Sequence, residues 1–455
     1  VQFTSFPAPT GGLVSNRNLA MSRGPDMPPG AAVLENMFPT ATGVVLRRGS
    51  SRWATMDDDA PVKSLFTYTF GGQREMFAAT DAGIWAVNTE TGNTPLSGTP
   101  EHAATNGDWN VVQFSTAGGV FLIGVNGTDA AFLYDGTDYD ATTITFPSGS
   151  TLTTADLSYV WVYKERIWFL QKNSLNAWYL PVDQIGGELT LWPMGGVFPR
   201  GGSLIWGQAW SSDTGGAGGL SEQCVFTTTE GEVAAYQGLS PDPDQGWTKV
   251  GSYRIGKPLG QKAFIRAGGD IVVATTVGFI SLAQASRQDY AALGQNAVSR
   301  DIEDDWARAV RERGQENWRC DIWPDGQMAL ISPPTPSSQD PVVFASNTYT
   351  GKWGVFRGWD VRALEVFTGR LFFGTSTGTV LQGWVSGTDE GVPYTGQVLP
   401  LFDNLGAPGS QKIAKMARAI IRTSFQANVQ VSGQSNFRVS FPPNPDTQPV
   451  ESGNV

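Results

Sequence analysis

Apolar and polar positions along this chain fall into short runs, and the runs come in pairs. Seven times a run of aromatic and β-branched residues enters a turn and is answered by a second run. Met76–Thr80 passes through Asp81-Ala82-Gly83 into Ile84–Val87. Val120–Val125 turns at Asn126-Gly127 and is answered by Ala131–Tyr134. Arg166–Leu170 pairs with Asn176–Leu180, and Val225–Thr229 turns at Glu230-Gly231 into Glu232–Tyr236. Ile271–Thr276 leads to Phe279–Leu282. Met328–Ile331 is joined by a Pro-rich loop to Val342–Ala345, and Leu371–Gly374 turns at Thr377-Gly378 into Thr379–Leu381.

Runs of this length and composition, bounded by Gly and Asn, are strands joined by hairpin turns. Units that recur every ~40–50 residues with about four strands each mark the blades of a β-propeller. One four-stranded sheet cannot bury both faces, but blades stacked about an axis bury one another. The pattern therefore predicts an all-β propeller of six or seven blades. Seven is favoured by the seven copies; six applies if one copy is an unpaired hairpin.

Two places break the pattern. Val298, Ile302, Trp306, Ala309 and Val310 recur at helical spacing, with Asp301, Glu303 and Asp304 early. They predict a helix over Val298–Arg313, its acids placed where the helix dipole favours them. Ser211–Gly219 is a Gly/Ser-rich loop.

The ends lie outside the repeat. Residues 1–40 are rich in Pro and Gly and read as an extended arm without a core of its own. The propeller then spans 41–390. Residues 391–455 read as a small β-rich extension, with strand-like runs at Ala417–Phe425 and Asn428–Val431. The arm is expected to order only against a neighbouring subunit or an adaptor. Phe3, Phe6, Leu13 and Leu19 would anchor it, and Arg17 and Arg23 would meet the acid-rich segment Glu75–Asp156 of an adjacent copy.

Composition agrees with strands. Gly is 55 of 455 residues, about one in eight against a usual ~7%. Charged residues are only 16%, fewer than exposed helical faces require. A content of 40% hydrophobic and 11% aromatic residues is enough for a large core. No run of 18 apolar residues predicts a membrane-spanning helix. Val1–Pro7 has neither the basic nor the apolar region of a signal peptide.

The formal charge is −11, and its distribution says more than its sum. Between Glu75 and Tyr163 there is no Lys or Arg, while ten acids are present: Glu75, Asp81, Glu90, Glu101, Asp108, Asp129, Asp135, Asp138, Asp140 and Asp156. Such a stretch cannot grip a phosphate backbone, which needs cations. It reads either as a solvated loop face or as a wall that repels DNA and lets it slide past. The densest basic stretch is Lys412, Lys415, Arg418 and Arg422. It is either an exposed face or a contact for an acidic partner or phosphate.

Candidate chemistry is sparse. The two cysteines, Cys224 and Cys320, read as buried thiols, and a single His102 leaves little for metal or acid–base work. Gly256-Lys257 is followed by Pro258 and Gly351-Lys352 by Trp353, so neither is a phosphate loop. No G-x-S-x-G elbow occurs. His102 reads as a surface residue and not a triad base. Ser346–Trp353 lacks the Asp of a sialidase Asp box and reads as strand–turn–strand with a buried Trp; Trp359-Asp360 is isolated. No catalytic, cofactor-binding or metal-binding residue is assigned, no cofactor is expected and no enzymatic activity is expected.

The chain nevertheless resembles a family. Pro28-Pro29-Gly30-Ala31-Ala32-Val33-Leu34-Glu35-Asn36-Met37-Phe38-Pro39, then Gly43-x-x-x-Arg47-x-Gly49, is similar to the start of tail hub or nozzle proteins of short-tailed bacteriophages, also called packaged-DNA stabilisation proteins. In these the strand leads into a first hairpin. Later features follow in similar order: Val125-Asn126-Gly127 before Tyr134-Asp135-Gly136, Lys164–Trp168, a helical insert, Gly351-Lys352-Trp353, the Leu371–Val380 hairpin and Leu399–Phe402. The resemblance implies a structural virion protein assembled in the host cytoplasm. It would form a ring, usually of six copies, below the portal and adaptor, close the DNA channel and hold the needle, tip or fibres. Packaged double-stranded DNA would pass the lumen without sequence-specific binding, and no membrane anchor is implied. The alternative is a propeller that binds or cleaves carbohydrate.

Overall fold

In the computed structural model, residues 5–15, 28–96, 98–213, 220–403, 416–423, 428–434 and 439–441 are described. Their strands form a seven-bladed β-propeller. The first blade runs Ser64–Phe70, Gln73–Thr80, Gly83–Ala86 and His102–Ala103. The second runs Asn110–Thr116, Gly119–Val125, Phe132–Tyr134 and Tyr139–Ala141, and the third Leu157–Tyr163, Arg166–Gln171, Asn176–Tyr179 and Thr190–Pro193. The fourth runs Leu204–Asp213, Leu220–Thr228, Glu232–Gln237 and Thr248–Arg254. Each sheet is an antiparallel meander, and each of the seven sequence copies is the central hairpin of one blade. Glycine is required at some of these turns. Gly231 has φ +77°, and a Cβ on it would overlap the carbonyl oxygen of Gly256.

The fifth blade has three strands, Phe264–Ala267, Asp270–Thr275 and Gly278–Ser281. Helices follow where a fourth strand would lie. The long one is Glu303–Arg313, preceded by a 3₁₀ turn at Arg300–Ile302. The helix therefore starts later than the periodicity predicts. Val298 is partly exposed and its carbonyl accepts the Trp353 indole N–H at 3.0 Å, while Ser299 Oγ accepts the Phe279 N–H at 2.9 Å. These bonds hold the backbone in a non-helical path. Trp306, Ala309 and Val310 form the buried face, and Trp306 packs on Trp318 with ring centroids 5.1 Å apart.

The sixth and seventh blades capture both ends of the propeller sequence. The sixth consists of Arg319–Trp323, Met328–Ser332, Val342–Asn347 and Trp353–Arg357. Ala31–Glu35 adds to it in parallel, and Gln397–Pro400 pairs antiparallel outside that. The seventh consists of Ala363–Phe367, Arg370–Gly374 and Thr379–Ser386, and Gly49–Thr55 supplies its fourth strand. An N-terminal strand thus closes the ring. Val44–Leu46 pairs with Met37–Pro39 in a short hairpin before the chain enters the seventh blade at Gly49.

The arm also differs from expectation. Leu13 is buried, its N–H donates to the Trp353 carbonyl at 2.7 Å, and it bridges Ala31. Gly11 N–H donates to Pro29 O, and Ser15 N–H to Asp301 O. Residues 5–15 and 28–39 therefore fold against this chain's own fifth and sixth blades, because those blades offer an unpaired strand edge and a pocket for Leu13 and Leu34. Phe6 is half-exposed; Phe3, Arg17, Leu19 and Arg23 lie outside the described residues. Beyond 391 the only strand among the described residues is Gln397–Pro400. Residues 417–423 and 428–431, expected as strand-like runs, form no strand among the described residues. Of the expected loop Ser211–Gly219, Ser211–Asp213 instead continue the strand Leu204–Asp213, paired with Leu220–Glu222, and 214–219 lie outside the described residues.

Aromatic residues fill the wedges between blades. Trp161, Trp168, Trp206, Phe226 and Tyr236 occupy the space from the third blade to the fifth, with Trp168 stacked on Trp247 at 5.5 Å. The other wedges have separate clusters, such as Phe77, Trp109 and Phe132 between the first and second blades.

Candidate functional site: the axial cavity and the seam

The inner strands of the blades surround a cavity of about 270 Å³. Its wall includes Ser64, Asn110, Lys262, Glu365 and, from one strand, Arg319 and Asp321. Lys262 Nζ lies 2.8 Å from Ser64 Oγ and 3.0 Å from Asp108 Oδ1. Arg319 donates to the other oxygen of Asp108 at 3.0 Å and, through Nε, to the Arg362 carbonyl at 3.1 Å. Burial alone would raise the Asp108 carboxyl, but Lys262 and Arg319 outweigh it and hold the pKa far below the usual range.

The other two carboxyls behave in the opposite way. Asp321 Oδ1 accepts the N–H of Ile322 at 2.7 Å, and Glu365 Oε1 meets the Thr67 hydroxyl at 3.5 Å. Neither has an ion pair among the described residues. Burial pushes Asp321 up to about 6. Burial, then the charge of Asp321, pushes Glu365 up to about 8. At neutral pH Glu365 therefore holds its proton. The cavity admits water or a small solute. Lys262 and Arg319 bond to Asp108 across it, and at about 270 Å³ it has no room for a duplex. The propeller axis is a polar plug.

A second constellation lies at the seam between the sixth and seventh blades. Arg47 is fully buried. Its Nε donates to Asn36 Oδ1 at 2.9 Å, and NH2 to the Arg357 carbonyl at 2.9 Å. Its guanidinium also grips Asp389 with two bonds, at 3.0 and 2.6 Å. The ring of Tyr394 lies 3.9 Å from the guanidinium carbon, and Trp359 lies 5.0 Å away. Asn36, at φ +54°, completes the knot by accepting the Arg357 N–H at 2.8 Å and donating to Thr395 O at 2.9 Å. A Cβ on Gly49 would overlap the Thr388 carbonyl. Residues that carried the resemblance therefore meet as one latch between the chain's beginning and residues 388–395. Trp359, which reads as isolated in sequence, belongs to it.

The remaining candidates separate. His102 is not a surface residue. It is half-buried, stacked on Tyr139 at 5.3 Å and near Phe132 and Trp109, and burial lowers its pKa. Cys224 is buried in the fourth blade and Cys320 lines the axial cavity; burial pushes both thiols up. Among the described residues no three His, Cys, Asp or Glu side chains gather as metal ligands. Trp353 is fully buried at the end of the Ser346–Trp353 strand–turn–strand. Near it Phe38, Val45, Gln327, Tyr349 and Trp384 line a groove of about 430 Å³, with Tyr349 exposed. Of the ten acids between Glu75 and Tyr163, Asp108 pairs with cations of the axial cavity. Glu90, Glu101, Asp135, Asp138 and Asp140 are exposed.

No protein-family model matches this chain, and no curated protein does. Solved structures similar to it include the computationally designed Ika8 protein, at 10% identity and TM-score 0.39, covering 74% of this chain and 100% of that one. Another is BBS1N in complex with ARL6DN, at 12% identity and TM-score 0.42, covering 75% of this chain and 99% of that one. A third is Sqt1 of Saccharomyces cerevisiae, at 9% identity and TM-score 0.39, covering 74% and 99%.

Proposed function

We propose that this chain is a structural subunit of a bacteriophage tail. As a hub or nozzle it assembles into a ring, usually of six copies, below the portal and adaptor. The ring retains the packaged genome and carries the distal tip or fibres. The observation that carries the reading is the state of the C-terminal segment. Met416, Ile420 and Ile421 are 90%, 93% and 55% exposed, in a stretch that also carries Arg418 and Arg422. Exposed apolar side chains of this kind suit contact with another chain. The resemblance of Asn36–Pro39 and Gly43–Gly49 to tail hub proteins supplies the kind of assembly. In this reading DNA passes through the lumen between subunits, since the propeller axis is plugged, and the acid-rich stretch repels it. The protein acts in the virion after assembly in the host cytoplasm.

The test is imaging of the phage particle with a label on this chain, together with the mass of the purified full chain in solution. Rings of several 48.8 kDa copies at the distal tail are expected. Absence of the chain from particles, or a chain that stays monomeric, overturns the proposal. A second reading, a carbohydrate-binding propeller, draws on the groove lined by Tyr349, Trp384 and Gln327, where the exposed Tyr349 ring lies beside the half-buried Trp384. Glycan binding by a monomer, lost in Y349A, would favour it.

A further inference from the structure

We propose that the C-terminal tail of one copy docks along the acid-rich outer edge of the first and second blades of the next copy, joining the two head to tail. This rests on the ring reading above and names the surfaces that make the ring.

The first observation is the segregation of charge. From Asn404 to Pro445 the sequence has five Lys or Arg and no Asp or Glu, whereas from Glu75 to Tyr163 it has ten acids and no base. Two such stretches in one chain of net charge −11 are complementary. The second observation is that both are unmatched in a single copy. Arg418 and Arg422 are exposed and have no ion pair among the described residues. Nor have Glu90, Glu101, Asp135, Asp138 and Asp140.

The acidic face also has the right shape. The outermost strand of the second blade, Tyr139–Ala141, pairs on one side with Phe132–Tyr134 and leaves its other edge free. Asp138 and Asp140 flank it, and the half-buried ring of Tyr139 stacks beside it with His102. Burial and the neighbouring charge of Glu75 push the Glu101 carboxyl up, a crowding that an incoming cation relieves. The tail is complementary in form. Its described residues belong to no strand and carry exposed Met416, Ile420, Ile421, Val429 and Val431. Such a segment adds readily to a free sheet edge.

The two surfaces lie on nearly opposite sides of the molecule. The tail leaves from Gln397–Pro400, the outer strand of the sixth blade. The second blade is three places away in a ring of seven, which is the maximum separation. Donor and acceptor surfaces so placed make a heterologous contact, the kind that closes into rings.

The experiment uses the full chain and charge exchange. R418E/R422E in the tail and D138K/D140K in the blade are each made, and assembly is followed by light scattering over a concentration series at low and high salt. Each variant is expected to weaken assembly by about tenfold or more, since like charges then face one another. A chain carrying both exchanges recovers assembly. Wild-type assembly weakens as salt rises. R418Q/R422Q gives a smaller loss and keeps the test decisive if the reversed tail misfolds. If wild type forms rings that neither exchange alters, or the combined chain fails to recover while both parents melt normally, the docking is wrong and the ring stands. If wild type is monomeric at every concentration or absent from particles, the ring reading itself fails.

Discussion

The two ends of this chain look alike in sequence and fare differently in structure. Both are irregular, Pro- and Gly-marked segments with scattered apolar residues. The N-terminal one is built into the propeller: Leu13 is buried, Ala31–Glu35 lies between two strands, and Gly49–Thr55 closes the seventh blade. The C-terminal one leaves the sheet after Pro400, and its described residues from Met416 onward stay exposed. The difference comes from what receives each segment. The seventh blade lacks a fourth strand of its own, and the sixth has a free edge after Trp353–Arg357. A segment that completes a blade gains ladder hydrogen bonds and burial together. The described residues of the tail complete no blade, and their apolar side chains stay exposed.

The largest effect should come from breaking the latch that holds the first of these ends. Arg47 is buried with Asn36, Asp389 and the Arg357 carbonyl as partners. Removing one member of a buried ion pair leaves the other uncompensated, at a cost of about 3–5 kcal/mol. R47A should lower the denaturation midpoint accordingly in urea melts, and exposure of the 31–35 amides to hydrogen exchange should rise with it. A melt unchanged from wild type would mean the end is held by strand pairing alone.

The next effect concerns the ring that the N-terminal strand closes. Glu365 rises from 4.5 in the unfolded chain to about 8 in the fold. The folded state thus binds more protons between those values, so stability is full at pH 4.5, falls as pH rises and is lost above about 8. At about 1.36 kcal/mol per unit, partly screened, the loss is of order 2–4 kcal/mol. E365Q should flatten the profile between pH 6 and 8, leaving the smaller slope of Asp321 between its ordinary value and about 6. The groups facing Glu365 are Asp321, Thr67 and Lys262, and none reverses this sign. A wild-type profile flat from pH 5 to 9 would refute the buried proton.

A third effect tests the seam at a single carbon. A Cβ on Gly49 overlaps the Thr388 carbonyl, so G49A must push apart the closing strand and residues 386–389. Overpacking of this sort costs about 1–3 kcal/mol.

The seven central hairpins were legible because the middle strands of a blade are buried on both faces, which forces aromatic and β-branched runs such as Leu371–Gly374. Outer strands were not. Thr248–Arg254 and Tyr139–Ala141 are mostly exposed and keep polar residues that look like loop. The closing strand Gly49–Thr55 was invisible as such, since its partner lies more than 300 residues away and pairing at that range leaves no local period. The axial cavity was unreadable for the same reason. Asp108, Lys262, Glu365 and the pair Arg319 and Asp321 come from four different parts of the ring, and only its closure brings them together. Asn36, Arg47 and Gly49 did stand out, as residues that matched a family pattern, although their role as a latch needed Asp389, Trp359 and Tyr394 beside them.

The smallest effect on folding should come from the other end. Deleting residues 404–455 removes described side chains that are exposed, among them Met416, Arg418, Ile420 and Ile421, and takes no strand from any blade. Surface changes of this kind stay within about ±0.5 kcal/mol. The truncated chain should therefore melt with wild type in urea, with the same cooperativity and the same pH profile. Its association should nevertheless collapse, because the five bases that would meet a neighbour's blades go with it. This pairing of outcomes distinguishes the ends: R47A unfolds the subunit, and the truncation leaves it folded but alone. A truncated chain that melts several degrees lower would place the tail among the elements that build the propeller, and the contrast between the two ends would be lost.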